Sequence, residues 1–192
     1  MLRVLAVLLV CVLGAACKTV PPPIQPLPED LSELDRWQAR GRLGVSGPQG
    51  GGSGSFEWLQ RGDRAQVQIR GPVGIGSVRL EVHGTPDDPV IRLETSDGQV
   101  LESEAAWAEM EARLGAPVPA SSLRYWMLGL PAPGEHHWRE ETGHGASLEQ
   151  AGWRIDYQAF SSDPGARVPV RLRATSGAAR VRIVVDRWRL GQ

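Results

Sequence analysis

From Ala39 onward, apolar residues recur at every second position, which is the period of a half-buried β-strand. Ala65, Val67 and Ile69 alternate with Gln66, Gln68 and Arg70, and Val78, Leu80 and Val82 alternate with Arg79, Glu81 and His83. The pattern predicts strands over Ala39–Ser46, Gly54–Gln60, Ala65–Arg70, Ser77–His83 and Val90–Thr95. Two helical patterns then interrupt the run. SEAAWAEMEARLG places Trp107, Met110 and Leu114 on one face, with Ser103 as cap and Gly115 as stop. PASSLRYWMLGLP groups Leu123, Trp126 and Met127 and ends at Gly129, before Pro131. Period two returns in Ser147–Gln150, Trp153–Gln158, Val168–Ala174 and Ala179–Trp188. Upstream, PEDLSELDRWQ predicts a short helix with Asp30 as cap and Leu31, Leu34 and Trp37 on one stripe. The segment PQGGGSGS between the first two strands reads as a mobile hairpin loop.

Almost every strand is two-faced, and consecutive strands are close enough for hairpin connections. A mainly β (α+β) fold follows, built on one large antiparallel sheet with water on one side. About nine such strands should curl, with helices covering the inner face. A curled sheet of that size can enclose a small-ligand cavity. Several inward candidates are modest in volume (Ala65, Val67, Val78, Val82, Ala174 and Val181), which leaves space.

One connection breaks the usual chemistry of turns. RGPVGIGSVRL, Arg70 to Leu80, joins two strands through a proline and three glycines, yet carries Val73 and Ile75 at its tip. Two readings are open. The loop folds back and buries both aliphatics, or it projects an apolar tip that dips into a bilayer or touches a lipidated cargo. Two such side chains contribute about 2–4 kcal/mol on burial, enough to touch a membrane but not to anchor to it.

The chain has 192 residues, a formal net charge of −1 and 41% hydrophobic residues. That is enough for one domain with a core. It also gives no overall basic footprint for nucleic acid. The N-terminus adds an address. Arg3 precedes the apolar run LAVLLVCVLGAAC, too short to span a membrane and suited to a secretory signal over residues 1–16. LGAAC resembles a bacterial lipobox, which implies N-acyl and S-diacylglycerol groups on Cys17 and no other cofactor. Gly14 stands where that pattern prefers leucine. Loss of residues 1–16 removes Cys11, so an internal disulfide is not expected. Lys18 follows the cysteine in place of the aspartate of an inner-membrane retention signal, which points to the outer membrane. Residues 17–29 then form a proline-rich tether, and residues 30–192 the globular domain.

Catalytic chemistry finds little support. His136 and His137 are adjacent and do not face one metal from a regular element, and His144 lies in a glycine-flanked loop. Ser121-Ser122 reads as a helix cap without a base partner. Arg61-Gly62-Asp63 reads as a tight turn between strands. The glycines of GPVGIG open no helix and so make no phosphate cradle.

Six segments in order resemble the LolB family of outer-membrane lipoprotein receptors: WQARGRLGV, GSFEWLQRGD, GPVGIGSVRLEV, LRYWMLGLPAP, GWRIDY and VRIVVDRW. The resemblance spans nearly the whole chain after Cys17. It implies an unclosed antiparallel β-barrel covered by about three short helices, with a hydrophobic cavity and no enzymatic activity. It implies that triacylated lipoproteins are accepted from the periplasmic carrier LolA and placed in the outer membrane, whose lipids are a further partner. A monomer that binds no nucleic acid is expected. Pro72, Val73, Gly74 and Ile75 match the family's membrane-transfer loop, with valine where leucine is usual and Ile75 sharing the role. Strand parity offers Phe56, Trp58, Val67, Ile69, Leu80 and Trp126 as cavity lining, and a one-residue register error would invert the faces. The rival is an envelope-scaffolding lipoprotein, for which a filled interior is expected.

Overall fold

The computed structural model describes residues 30–71, 76–85, 88–114, 116–117, 119–141, 145–162 and 166–191. The proposed signal, Cys17, the tether, the loop Pro72–Ile75, Gly115 and His144 lie outside the described residues.

Eleven strands form one antiparallel sheet. The chain starts in its middle with β1 (Arg36–Gly47) and steps outward through β2 (Gly50–Arg61), β3 (Arg64–Arg70), β4 (Ser77–Thr85), β5 (Asp88–Thr95) and β6 (Val100–Glu102). Helices α1 (Ser103–Leu114) and α2 (Ala120–Leu128) then lead to the opposite edge. From there β7 (His137–Glu141), β8 (Gly145–Gln150), β9 (Trp153–Phe160), β10 (Pro169–Ser176) and β11 (Ala179–Leu190) step back inward. β11 pairs with β1, giving the order β6-β5-β4-β3-β2-β1-β11-β10-β9-β8-β7. The edges β6 and β7 do not pair, so the sheet is open and no barrel closes.

The alternation read from the sequence sets the faces. In β9, Trp153, Ile155 and Tyr157 are buried and Arg154 and Gln158 exposed. In β11, Val181, Ile183 and Val185 share one face until a bulge opposite Arg40 and Gly41 inserts Asp186. That extra residue keeps Trp188 and Leu190 turned toward the core, where both pack. Gly41 sits at the bulge because a Cβ there would lie 2.0 Å from the Val184 carbonyl oxygen.

Four expectations need correction. The first helix shrinks to a 3-10 turn, Leu31–Glu33, so the chain has two α-helices plus this turn among its described residues, not about three helices. Asp30 does cap that turn, accepting from the Ser32 N–H at 2.8 Å. Trp37 belongs to β1 because the strand places its indole, fully buried, between Trp58 and Trp188 at 5.4 and 5.5 Å. That burial outweighs a local i, i+3 pattern. The glycine-rich segment is strand as far as Gly50, opposite Gly47, leaving only Pro48 and Gln49 in the turn. Its glycines admit close neighbours, since a Cβ on Gly54 would meet the Arg70 carbonyl oxygen at 2.2 Å. Ser121 and Ser122 lie inside α2, whose N-cap is Pro119 without a side-chain bond. β6 and β7 were not expected, and the reason is physical. β6 has three residues, and β7 is mostly exposed HWREE, the short or charged make-up that keeps a sheet edge from pairing with another chain.

Candidate functional site

Strand register divides the inside of the sheet into a packed end and a hollow end. At the end where the chain enters β1, Trp37, Leu148, Tyr157 and Val168 are almost wholly buried. Burial raises the Tyr157 phenol's pKa, and its hydroxyl donates to the Trp126 carbonyl at 3.1 Å. At the other end, beneath the Gly47–Gly50, Gln150–Trp153 and Ser176–Ala179 turns, lies a cavity of about 200 Å³.

Phe56 and Trp58 of β2, Val67 and Ile69 of β3 and Leu80 of β4 line one wall. They are rungs of one ladder, with Phe56 opposite Ile69 and Trp58 opposite Val67, which in turn faces Leu80. Ile155, Leu172, Ala174, Val181 and Ile183 of β9–β11 form the facing wall. Leu80 and Ile155 sit six strands apart in the sheet order, roughly 29 Å if the sheet were flat, so strong curvature brings them to one cavity. Met110 of α1 and Leu123, Trp126 and Met127 of α2 roof it. The six residues singled out by parity thus surround one space, because hairpin pairing preserves the two-residue period across β2, β3 and β4. The same alternation marks Ala174 and Val181 of the facing wall as inward, but only curvature brings that wall to the same space.

No charged side chain borders the cavity, and the polar ends of its aromatics point away. Trp58 Nε1 donates to Gln60 Oε1 at 3.0 Å, and Gln60 Nε2 donates to the Gly62 carbonyl at 2.8 Å. Trp126 Nε1 donates to Gln150 Oε1 at 2.9 Å. Trp153 Nε1 donates to the Pro117 carbonyl at 2.8 Å. The Trp126–Gln150 bond fastens α2 to β8, the Tyr157–Trp126 bond fastens it to β9, and the Trp153–Pro117 bond ties β9 to the segment before α2. Helix α1 is held differently, by Ala106, Trp107 and Met110 packing into a small apolar cluster with Val67, Leu80, Ile91 and Leu93.

A second hollow of about 490 Å³ shares Leu43, Val45 and Ile69 with the cavity and is bordered by Gly50–Gly52, Gly71, Gly76 and Val78. The cavity therefore adjoins the end of the sheet where β3 and β4 connect. The Gly71 N–H donates to the Gly76 carbonyl at 2.9 Å across that connection, and the loop residues themselves lie outside the described set.

Of the residues weighed for catalysis, Ser121 and Ser122 lie within α2 and His144 is outside the described residues. His136 and His137 are exposed at the β7 edge, and His136 Nδ1 sits 2.9 Å from the Gly134 carbonyl. Among the described residues, no group of three or more His, Cys, Asp or Glu side chains could hold a metal ion. Gly62, at φ 57, makes the Arg61–Asp63 segment a tight turn between β2 and β3. No helix among the described residues is long and apolar enough to cross a membrane.

Comparison with known proteins agrees with this architecture. The family model described as "Outer membrane lipoprotein LolB" matches residues 35–188. The outer-membrane lipoprotein LolB of Pseudomonas fluorescens is 36% identical over 169 residues, covering 85% of this chain and 80% of that protein. The LolB of Alkalilimnicola ehrlichii is 35% identical over 201 residues, covering 98% and 97%. Among solved structures, a DUF1329 family protein from Desulfovibrio piger superposes with a TM-score of 0.55 at 7% identity over 84% of this chain and 88% of that one, a likeness of fold alone. With a matched segment that runs from the start of β1 almost to the end of β11, the chain belongs to the LolB family of outer-membrane lipoproteins.

Proposed function

We propose that the apolar cavity receives the acyl chains of triacylated lipoproteins delivered by the periplasmic carrier LolA, and that the protein passes them into the outer membrane. The observation that carries this reading is the cavity itself, roofed by helices and lined without a charged side chain in a member of the LolB family. A scaffold would need no such space.

Each acyl methylene exposed to water costs about 0.8 kcal/mol, so a free triacylated protein is strongly driven to any apolar shelter. Burial of hydrocarbon is non-directional, so one cavity can serve cargoes that share only their lipid. Handover needs no covalent step if affinity rises from carrier to receptor to bilayer. The cavity's 200 Å³ falls below the roughly 300–1,000 Å³ of ordinary small-molecule sites, so loading widens it. Helix α1 is the part that yields, because apolar packing holds it while buried hydrogen bonds hold α2.

In this reading residues 1–16 are the removed signal, Cys17 carries the acyl anchor and residues 17–29 tether the domain that begins at Asp30. Pro72, Val73, Gly74 and Ile75 form the transfer tip, in the connection whose flanking Gly71 and Gly76 border the second hollow. The test is native mass spectrometry of a Cys17→Ala chain mixed with a synthetic triacylated peptide. A one-to-one complex is expected, and Ala174→Phe, which fills the cavity with apolar atoms, should weaken it at least tenfold while the protein stays folded. A parent chain that takes up no lipopeptide, or an Ala174→Phe chain that binds as well as its parent, sinks the proposal.

A further inference from the structure

We propose that the outer face of β10, β11 and β1 is a docking surface for anionic phospholipid headgroups. It depends on the proposed anchor for proximity to a bilayer but not on what the cavity holds.

The charges on the outside of the sheet are segregated. On β11, Arg180, Arg182, Arg187 and Arg189 are exposed, and on β10 Arg171 is exposed beside half-buried Arg173. Arg173 stands directly opposite Arg182, and Arg180 opposite Thr175 on one side and Ser46 on the other. Like charges facing each other across a strand pair destabilise it, so this face is costly while bare. Most of the remaining outer face is paired, with Arg36, Arg61, Arg64 and Arg70 at the ends of β1, β2 and β3 among the exceptions. Arg40 pairs with Glu57 at 2.7 Å, Arg79 with Glu94 at 3.7 Å, and Arg92 with Glu102. Arg154 pairs with Glu141, Glu149 and Asp156. Among the described residues, Arg171, Arg173, Arg180, Arg182, Arg187 and Arg189 enter no ion pair of this kind. The acidic residue on their strands, Asp186, is bound to Arg42 at 3.1 Å. A chain of formal net charge −1 has thus gathered unopposed guanidinium groups along one strand pair.

Guanidinium forks suit phosphate oxygens, and an array on an open strand surface suits many phosphates side by side better than one enclosed ligand. Each arginine near an anionic leaflet strengthens binding roughly fivefold. A tether of residues 17–29, at roughly 3 Å per residue, holds the domain within a few tens of ångströms of the bilayer, where so shallow an attraction is sufficient. The stripe runs the length of β11 up to the Ser176–Ala179 turn. Contact along it lays the hollow end of the sheet beside the lipid.

The experiment is flotation of the Cys17→Ala chain, without cargo, on phosphatidylethanolamine vesicles with and without about three parts in ten phosphatidylglycerol. Binding to the anionic vesicles is expected, falling at least tenfold in the R171Q/R173Q/R180Q/R182Q variant and unchanged in R79Q/R92Q. On the unsubstituted chain, binding should also fall steeply between about 50 and about 300 mM salt. Equal binding to uncharged vesicles, insensitivity to salt, or full binding by the folded quadruple variant overturns the proposal. A quadruple variant that keeps vesicle binding but no longer binds purified LolA assigns the face to a protein instead. Because no lipopeptide is present, failure here leaves the cavity reading to its own test.

Discussion

At the scale of single residues, the polar side chains on the inner faces of β2 and β8 decide how well the cavity is built. Gln150 is buried, and its Oε1 accepts from Trp126 Nε1 and from the Ala132 N–H, both at 2.9 Å, while its Nε2 donates to the Ala132 carbonyl at 2.8 Å. One amide therefore fixes an indole of the roof and the chain that follows α2. Replacing it by leucine keeps the volume but orphans buried donors, each worth about 1–3 kcal/mol. Gln150→Leu is expected to lower stability by about 3 kcal/mol, read from the urea midpoint, whereas Gln158→Leu, exposed on β9, should change it little. Both buried glutamines stand where the sequence reading ends a strand, since an inward amide looks like a break in the apolar pattern. Its meaning depends on an indole about two dozen residues away in one case and two in the other.

At the scale of elements, the β1–β11 seam joins the first strand to the last, and it works only because of a bulge. Opposite Gly41 the partner strand holds one residue too many, and a Cβ at Gly41 would meet backbone at 2.0 and 2.9 Å and the Phe56 ring at 3.0 Å. Gly41→Ala should cost about 3 kcal/mol or more. Gly44→Ala, where the nearest atom is 4.0 Å away, should cost little, and thermal unfolding of the two side by side is the check. Similar losses would mean that the close approach does not constrain the seam. The central strands and both α-helices were legible, because their periodicity is set by one face lying in the core. The edge strands β6 and β7 were not. A strand with one neighbour has less to bury, and its composition is set by what it must avoid.

At the scale of the whole molecule, two properties emerge that no element holds alone. One is the division of the interior into a packed end and a hollow end, with the β3–β4 connection at the hollow one. It makes a prediction for the proposed transfer tip. Val73→Glu should leave melting temperature and lipopeptide uptake unchanged, yet slow delivery from the loaded protein to vesicles about tenfold or more, since burial of one valine contributes about 1.5–3 kcal/mol. Undiminished delivery would remove the tip from the mechanism. The other property is the basic stripe on the outer face, invisible in a net charge of −1 because the balancing carboxylates sit on other strands.

The sequence by itself determined the inward and outward faces within most strands, because a two-residue period needs no knowledge of the partner strand; past the bulge, and at the inward Gln60 and Gln150, it did not. It also determined the antiparallel order of neighbours and the two α-helices, whose cues are local. Only the tertiary structure decided that the sheet bends until β4 and β9 share a cavity, that the bulge at Asp186 lets last strand meet first, and that arginines far apart in the chain stand side by side. Curvature and register are sums over many pairings, so they belong to the assembled sheet and to no segment of it.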